Sequence, residues 1–219
     1  MNFVEIFKTL SEAKNIAKTL LNPFLRKRAE LLHNIVLSEI RQGNFSSVNE
    51  DDLIAISYRL MRDATEGVAK NNLRLMARLI CGLNDAHQLT AQNFQKYAKT
   101  LADLEPEEIQ IIANVVKKYQ SLPSKDSEEY DIAKHRIIDS VLYDMHGNHP
   151  PKNQQKYSET YVRFNMLERT GFFISRGSRM SSYKDGQYGS PFSITPFFEQ
   201  FITFCPNWLD LATWDENNV

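Results

Sequence analysis

Apolar residues at Phe3, Ile6, Leu10, Ala13, Ala17, Leu20 and Phe24 alternate spacings of three and four, which lays one stripe along an opening helix. Pro23 bends or stops that helix. A second follows from about Leu25 to Ile40, with Leu32, Ile35 and Val36 on its inner face, and ends at Gly43-Asn44, a pair suited to a left-handed turn. The run Ser46 to Asn49 offers N-caps, and Glu50, Asp51 and Asp52 put negative charge in the first turn of a third helix, where the macrodipole favours it. That helix buries Leu53, Ile56, Leu60 and Met61 and is interrupted by Gly67. Asn71 restarts a helix with Leu73, Met76, Leu79, Ile80 and Leu83 inward, closing near Gly82, and Thr90 caps another with Phe94, Tyr97, Ala98 and Leu101 inward. Short connections of this kind favour an antiparallel bundle.

The second half changes character. Glu105-Pro106-Glu107-Glu108 is a strong helix start, because proline at the first helical position loses no needed donor, and Ile109, Ile112, Val115 and Val116 form the face behind it. Ser121 to Ser127 reads as a turn, Glu128 to about Met145 as one helix, and His146-Gly-Asn-His-Pro-Pro151 as a decisive break. Then come a polar-fronted helix from Tyr157 to Thr170, a strand from Gly171 to Ser175, a basic loop from Arg176 to Gly189 and a strand from Ser190 to Thr195. An aromatic helix, Pro196 to Phe204, closes the run.

That order resembles winged-helix regulators, in which a recognition helix ends in a Leu-x-Arg-x-Gly-aromatic turn, here Leu167 to Phe172, and a hairpin leads into a helix entered through Thr-Pro, here Thr195-Pro196. The resemblance covers roughly the last hundred residues. It implies contact with duplex DNA through Lys156, Ser158, Thr160, Tyr161, Arg163 and Asn165 on the helix, with Arg176, Arg179 and Lys184 of the loop gripping phosphates. It departs from the common pattern where Phe198 stands in place of a glycine after Thr-Pro. Phe197, Phe198, Phe201, Phe204 and Trp208 suit the last helix to a core or dimer face. In organisation the whole chain is loosely similar to uncharacterised helical proteins of bacteria and phage.

The expected fold is therefore mainly α: a helical bundle over residues 1–103, a winged-helix-like domain with one β-hairpin over 104–206, and an acidic tail over 207–219. With 42% hydrophobic and 24% charged residues in 219, the chain has the balance of a globular protein. A net charge of -1 excludes a whole-chain basic field, so any attraction for nucleic acid must be local. Residues 1–28 carry six bases against two acids, and residues 152–188 carry seven against three. Two widely spaced cysteines make no disulfide framework, and no stretch has the apolar length of a membrane span. A cytoplasmic location is expected.

Candidate chemistry is sparse. His146-x-x-His149 after Asp144 lacks the further ligands of a zinc site. Asp131, His135 and Asp139 share a face at spacing four, which reads as surface pairing. Arg62, Arg74 and Arg78 form a second basic cluster in which Arg74 and Arg78 lie one helical turn apart, a geometry suited to an anion or a partner's carboxylates, although Asp63 and Glu66 offer the more ordinary internal pairs. No P-loop, dinucleotide fingerprint, nucleophile elbow or HExxH motif occurs. The expectation is a non-enzymatic macromolecule-binding protein without a cofactor or metal. Its first reading is a DNA-binding regulator, and the alternative is a protein-interaction or oligomerisation scaffold. Self-association into a homo-oligomer is expected of the N-terminal helices.

Overall fold

The computed structural model describes residues 5, 23–40, 45–146, 154–175 and 192–205, and omits the side chains of residues 143, 146, 154–159 and 161. The expected opening helix lies outside the described residues apart from Glu5, Pro23 and Phe24, as does the acidic tail. Among the described residues the chain is mainly helical with one two-stranded antiparallel sheet. It divides into two compact units, Met1–Leu104 with Thr203–Cys205, and Glu105–Ile202 with Pro206–Val219.

The first unit contains α1 (Pro23–Glu39), α2 (Glu50–Glu66), α3 (Lys70–Asp85) and α4 (Ala91–Ala102). Asn49 caps α2, accepting a hydrogen bond from the Asp51 N–H at 2.9 Å, and Gly67 ends it in the left-handed region at φ 99°. Thr90 caps α4 by accepting from Asn93 N–H at 3.1 Å. Helix α3 is the centre of this unit, packed by α1, α2 and α4. Its Leu73, Leu75, Met76, Ala77, Leu79, Ile80 and Leu83 are all fully buried, more of its circumference than the one-sided stripe expected from sequence. Each such Leu or Ile contributes on the order of 2 kcal/mol by leaving water.

Two boundaries differ from the sequence expectation. Helix α3 begins at Lys70 with Ala69 as its cap residue, and it runs through Gly82 to Asp85. Gly82 is not a terminator: a Cβ there would lie 1.5 Å from the Phe204 carbonyl oxygen, so glycine is required for backbone to meet backbone. The Phe204 ring also stands edge-on to Tyr97 at 6.0 Å. These contacts account for Thr203–Cys205 belonging to the first unit, although the chain leading into them belongs to the second.

The second unit contains α5 (Pro106–Gln120), α6 (Glu129–His135), α7 (Ile137–His146), α8 (Gln154–Leu167), a 3-10 turn (Glu168–Thr170), β1 (Phe173–Ser175), β2 (Phe192–Ile194) and α9 (Pro196–Phe204, through Ile202). The single helix expected from Glu128 to Met145 is broken at Arg136, whose φ of -95° and ψ of 0° leave helical geometry. The break places Ile137, Ile138, Val141 and Leu142 in the core while α6 has no buried residue. It also separates Asp139 from the helix that holds Asp131 and His135. The strands pair as Phe173 with Ile194, Ile174 with Ser193 and Ser175 with Phe192.

The core of this unit is aromatic. The Phe172 ring contacts Phe197, Phe198 and Phe201 at 5.5, 5.5 and 4.9 Å, and Phe164 contacts Phe173 and Phe192 at 5.5 and 5.7 Å. Offset and edge-on pairs of this kind add about 0.5–1.5 kcal/mol each beyond burial. Helix α9 thus buries Phe198, Phe201 and Phe204 and half-buries Phe197, while Trp208 lies outside the described residues.

Candidate functional site

The turn after α8 is built from the residues that carry the winged-helix resemblance. Gly171 takes φ 72°, and Thr170 bridges the turn, donating to the Leu167 carbonyl at 2.5 Å and accepting from Phe172 N–H at 3.1 Å. Thr195 performs three tasks at once. Its hydroxyl donates to the Gly171 carbonyl at 2.6 Å and accepts from Phe198 N–H at 3.2 Å, and its own N–H donates to the Phe172 carbonyl at 3.0 Å. Pro196 then opens α9 without wasting a donor. The Thr-Pro pair is therefore a clamp between the hairpin and the helix that follows it.

Arg169 is half-exposed, and its guanidinium is engaged within the unit. Its guanidinium meets both oxygens of Glu108 at 2.5 and 2.6 Å, and it donates to the Met166 carbonyl at 2.8 Å. Glu108, with no exposed surface, also accepts from the Glu105 N–H at 2.9 Å. Burial pushes the Glu108 carboxyl up. The hydrogen bonds from Arg169 and from the Glu105 backbone, with the charges of Arg169 and Arg163, outweigh that and hold it below the usual carboxylate range.

The residues expected to touch nucleic acid are distributed unevenly. Thr160 is buried, at 8% exposure, because it lies on the inner side of α8. Arg163 forms an ion pair with Glu105, the residue that opens α5. Asn165 is exposed. Lys156, Ser158 and Tyr161 lie on α8, but their side chains are outside the description, and Arg176, Arg179 and Lys184 are outside the described residues. What sequence reading missed on this helix is apolar: Val162 and Met166, one turn apart, are 54% and 42% exposed. Their spacing of four marks an apolar pair within an otherwise polar face.

Other clusters resolve into internal structure. Of the basic cluster Arg62, Arg74 and Arg78, Arg62 makes the internal pairs expected with Asp63 and Glu66, at 3.5 and 3.8 Å, while Arg74 and Arg78 both bind Glu39 of α1, at 2.7 and 3.0 Å. Asp63 also takes Arg59, at 2.7 Å. Buried Asn72 donates its amide to the carbonyls of Leu101, Ala102 and Leu104 at 2.8, 3.2 and 2.8 Å, satisfying the end of α4. In the second unit, the Tyr119 hydroxyl donates to Glu199 at 3.1 Å and lies 3.2 Å from the Tyr130 hydroxyl, while Lys134 pairs with the same carboxylate. Burial first, then Tyr130 and the Glu199 charge, push the Tyr119 phenol far above its usual range. Glu168 accepts from the Ser175 N–H of β1. Among the described residues no group of three His, Cys, Asp or Glu is arranged to hold a metal, and no helix is long and apolar enough to cross a membrane.

Compared with protein-family models, curated proteins and solved structures, the chain matches none of them.

Proposed function

We propose that the protein is a non-enzymatic macromolecule-binding protein whose second unit is a winged-helix-like module, and that the outward face of α8 docks another protein chain. The order of α5, α7, α8, hairpin and α9 supports the module, as do the Thr195-Pro196 clamp and the left-handed Gly171. One observation carries the choice of partner. The described outer face offers Val162 and Met166 beside Asn165, while the two nearby arginines, Arg163 and Arg169, are already held by Glu105 and Glu108. Exposed apolar side chains beside charges that are already engaged suit a protein partner, whereas DNA affinity is dominated by bases neutralising phosphates.

The partner for which the first test is designed is a second copy of the chain, in keeping with the expected homo-oligomer. Sedimentation velocity over a wide concentration range should show reversible self-association that Val162→Asp with Met166→Asp abolishes while far-ultraviolet circular dichroism stays unchanged. A monomer at every concentration removes the self-docking form.

Duplex DNA is the second reading, favoured by the excess of four positive charges over residues 152–188. Salt-titrated binding decides it. Affinity that falls steeply with salt and weakens when Arg176, Arg179 and Lys184 become Ala would put DNA first, and no binding at low salt would remove it. We assign the protein to the cytoplasm, in keeping with its two free thiols.

A further inference from the structure

We propose that Cys81 and Cys205 form a redox pair, closed into an intrachain disulfide by a peroxide or another small oxidant and reopened by dithiol reductants. The proposal rests on the first unit alone and is independent of the docking face on α8.

Backbone geometry places both residues next to one close contact between α3 and the end of α9. The position a Gly82 Cβ would occupy is 1.5 Å from the Phe204 oxygen, 2.4 Å from its carbonyl carbon and 2.9 Å from its Cα. Cys81 precedes Gly82 and Cys205 follows Phe204, so each is the chain neighbour of one partner in that contact. Both are free thiols that share surroundings on α1 and α3: Cys81 donates to the Glu39 carbonyl at 3.3 Å, and Glu39 holds Arg78 at 3.0 Å. The charges of Arg78 and Glu39 act on both sulfurs, and Cys205 also feels Cys81. Exposure divides their roles. Cys81 is partly exposed, so an oxidant in solution reaches it first, whereas Cys205 is fully enclosed and meets only what Cys81 presents.

Hydrogen peroxide supplies the two-electron oxidant. The Cys81 thiolate attacks one peroxide oxygen, the O–O bond breaks and hydroxide leaves, giving a sulfenic acid. The Cys205 sulfur then attacks the Cys81 sulfur, the S–O bond breaks, and the oxygen departs as water after taking up the thiol proton. Two thiols and one peroxide become one disulfide and two waters, with two electrons passing from sulfur to oxygen.

Burial, followed by the Asp85 and Glu39 carboxylates and opposed by Arg78, pushes the Cys81 thiol up to about 11, and burial takes Cys205 to about 12. Closure is therefore slow at neutral pH and should quicken about tenfold per pH unit while Cys81 remains below its titration point. The two cysteines are separated by 124 positions, with residues 105–202 between them. The bond would turn the packing of Thr203–Cys205 on α3 into a covalent anchor.

The test treats the full chain with hydrogen peroxide at pH 7 and pH 9, blocks remaining thiols with an alkylating agent, and maps non-reduced peptides by mass spectrometry. The expected product is a monomer lighter by two hydrogens, with a peptide pair joining Cys81 to Cys205. It should revert with dithiothreitol and form roughly 100-fold faster at the higher pH. Cys81→Ser and Cys205→Ser, each checked for folding by circular dichroism, must both lack the pair. Recovery of both cysteines alkylated, cross-links only between chains, sulfinic acid at Cys81 without the pair, or a rate flat in pH would overturn the proposal.

Discussion

The two units solve the same problem, burying a helix-rich core, with different materials. The first surrounds one aliphatic helix, α3, and fixes its polar exceptions from one side each: Asn72 closes α4, and Arg74 and Arg78 close on Glu39. The second packs phenylalanines around a short hairpin and pins its turn with the Arg169–Glu108 pair. Aliphatic packing tolerates a smooth interface, so its weak point is where two backbones touch. Aromatic packing depends on ring orientation, so its weak point is the turn that orients the rings.

The largest effect is expected at Gly82. Replacing it with Ala forces a methyl group into the Phe204 carbonyl, and because the obstacle is backbone we expect a loss on the order of 4 kcal/mol, above the usual range for overpacking. Chemical denaturation measures the loss, and hydrogen exchange should place it in α3 and α4.

Next comes Arg169→Ala, expected to cost about 3 kcal/mol. Removing one member of a buried pair leaves Glu108 uncompensated, and the half-exposed position of Arg169 discounts the figure from the upper end. Here exchange should rise in the turn and hairpin. If either substitution loosened both units equally, the contrast between them would fail.

The same pair sets a pH dependence. Because the folded Glu108 carboxyl lies below its unfolded value, its contribution is complete above the ordinary carboxylate range. It is lost as pH falls below about 4.3 and through the lower folded value. Glu108→Gln should therefore be less stable than the parent at neutral pH, and the difference should shrink in acid. A difference that holds constant from neutral pH into acid would show that the carboxylate charge contributes nothing.

Asn72→Leu is expected to cost about 2 kcal/mol, since three helix-end carbonyls lose their donor in a dry setting. Thr195→Val, which removes a cap and the bond to Gly171, should cost about 1 kcal/mol and act on the second unit alone. Thermal melts resolve both. An Asn72 effect smaller than that of Thr195 would reverse the ranking.

Much of the architecture was legible because it is local. Apolar spacing found α1 to α5, and Asn49, Thr90 and Pro106 marked their starts, since a cap and its helix are neighbours in sequence. Long-range partners were not legible. Glu39 lies 35 residues from Arg74, and Glu108 lies 61 from Arg169, so no spacing rule connects them. Gly82 was misread because a glycine that ends a helix and one that admits another backbone look alike in a single sequence. The break at Arg136 carries neither proline nor glycine. At the candidate site, polarity singled out Thr160 and Arg163. Which side of α8 faces inward depended on Phe164 and Leu167 finding the hairpin, a tertiary choice.

Glu168 has a consequence for solubility. By accepting from the Ser175 N–H, it occupies a donor on the rim of a two-stranded ribbon and sets a negative charge beside it. A stray extended peptide, or the same ribbon from another molecule, would have to displace that carboxylate before adding itself as a third strand, so fibrillar stacking at this point is opposed by the native chain itself.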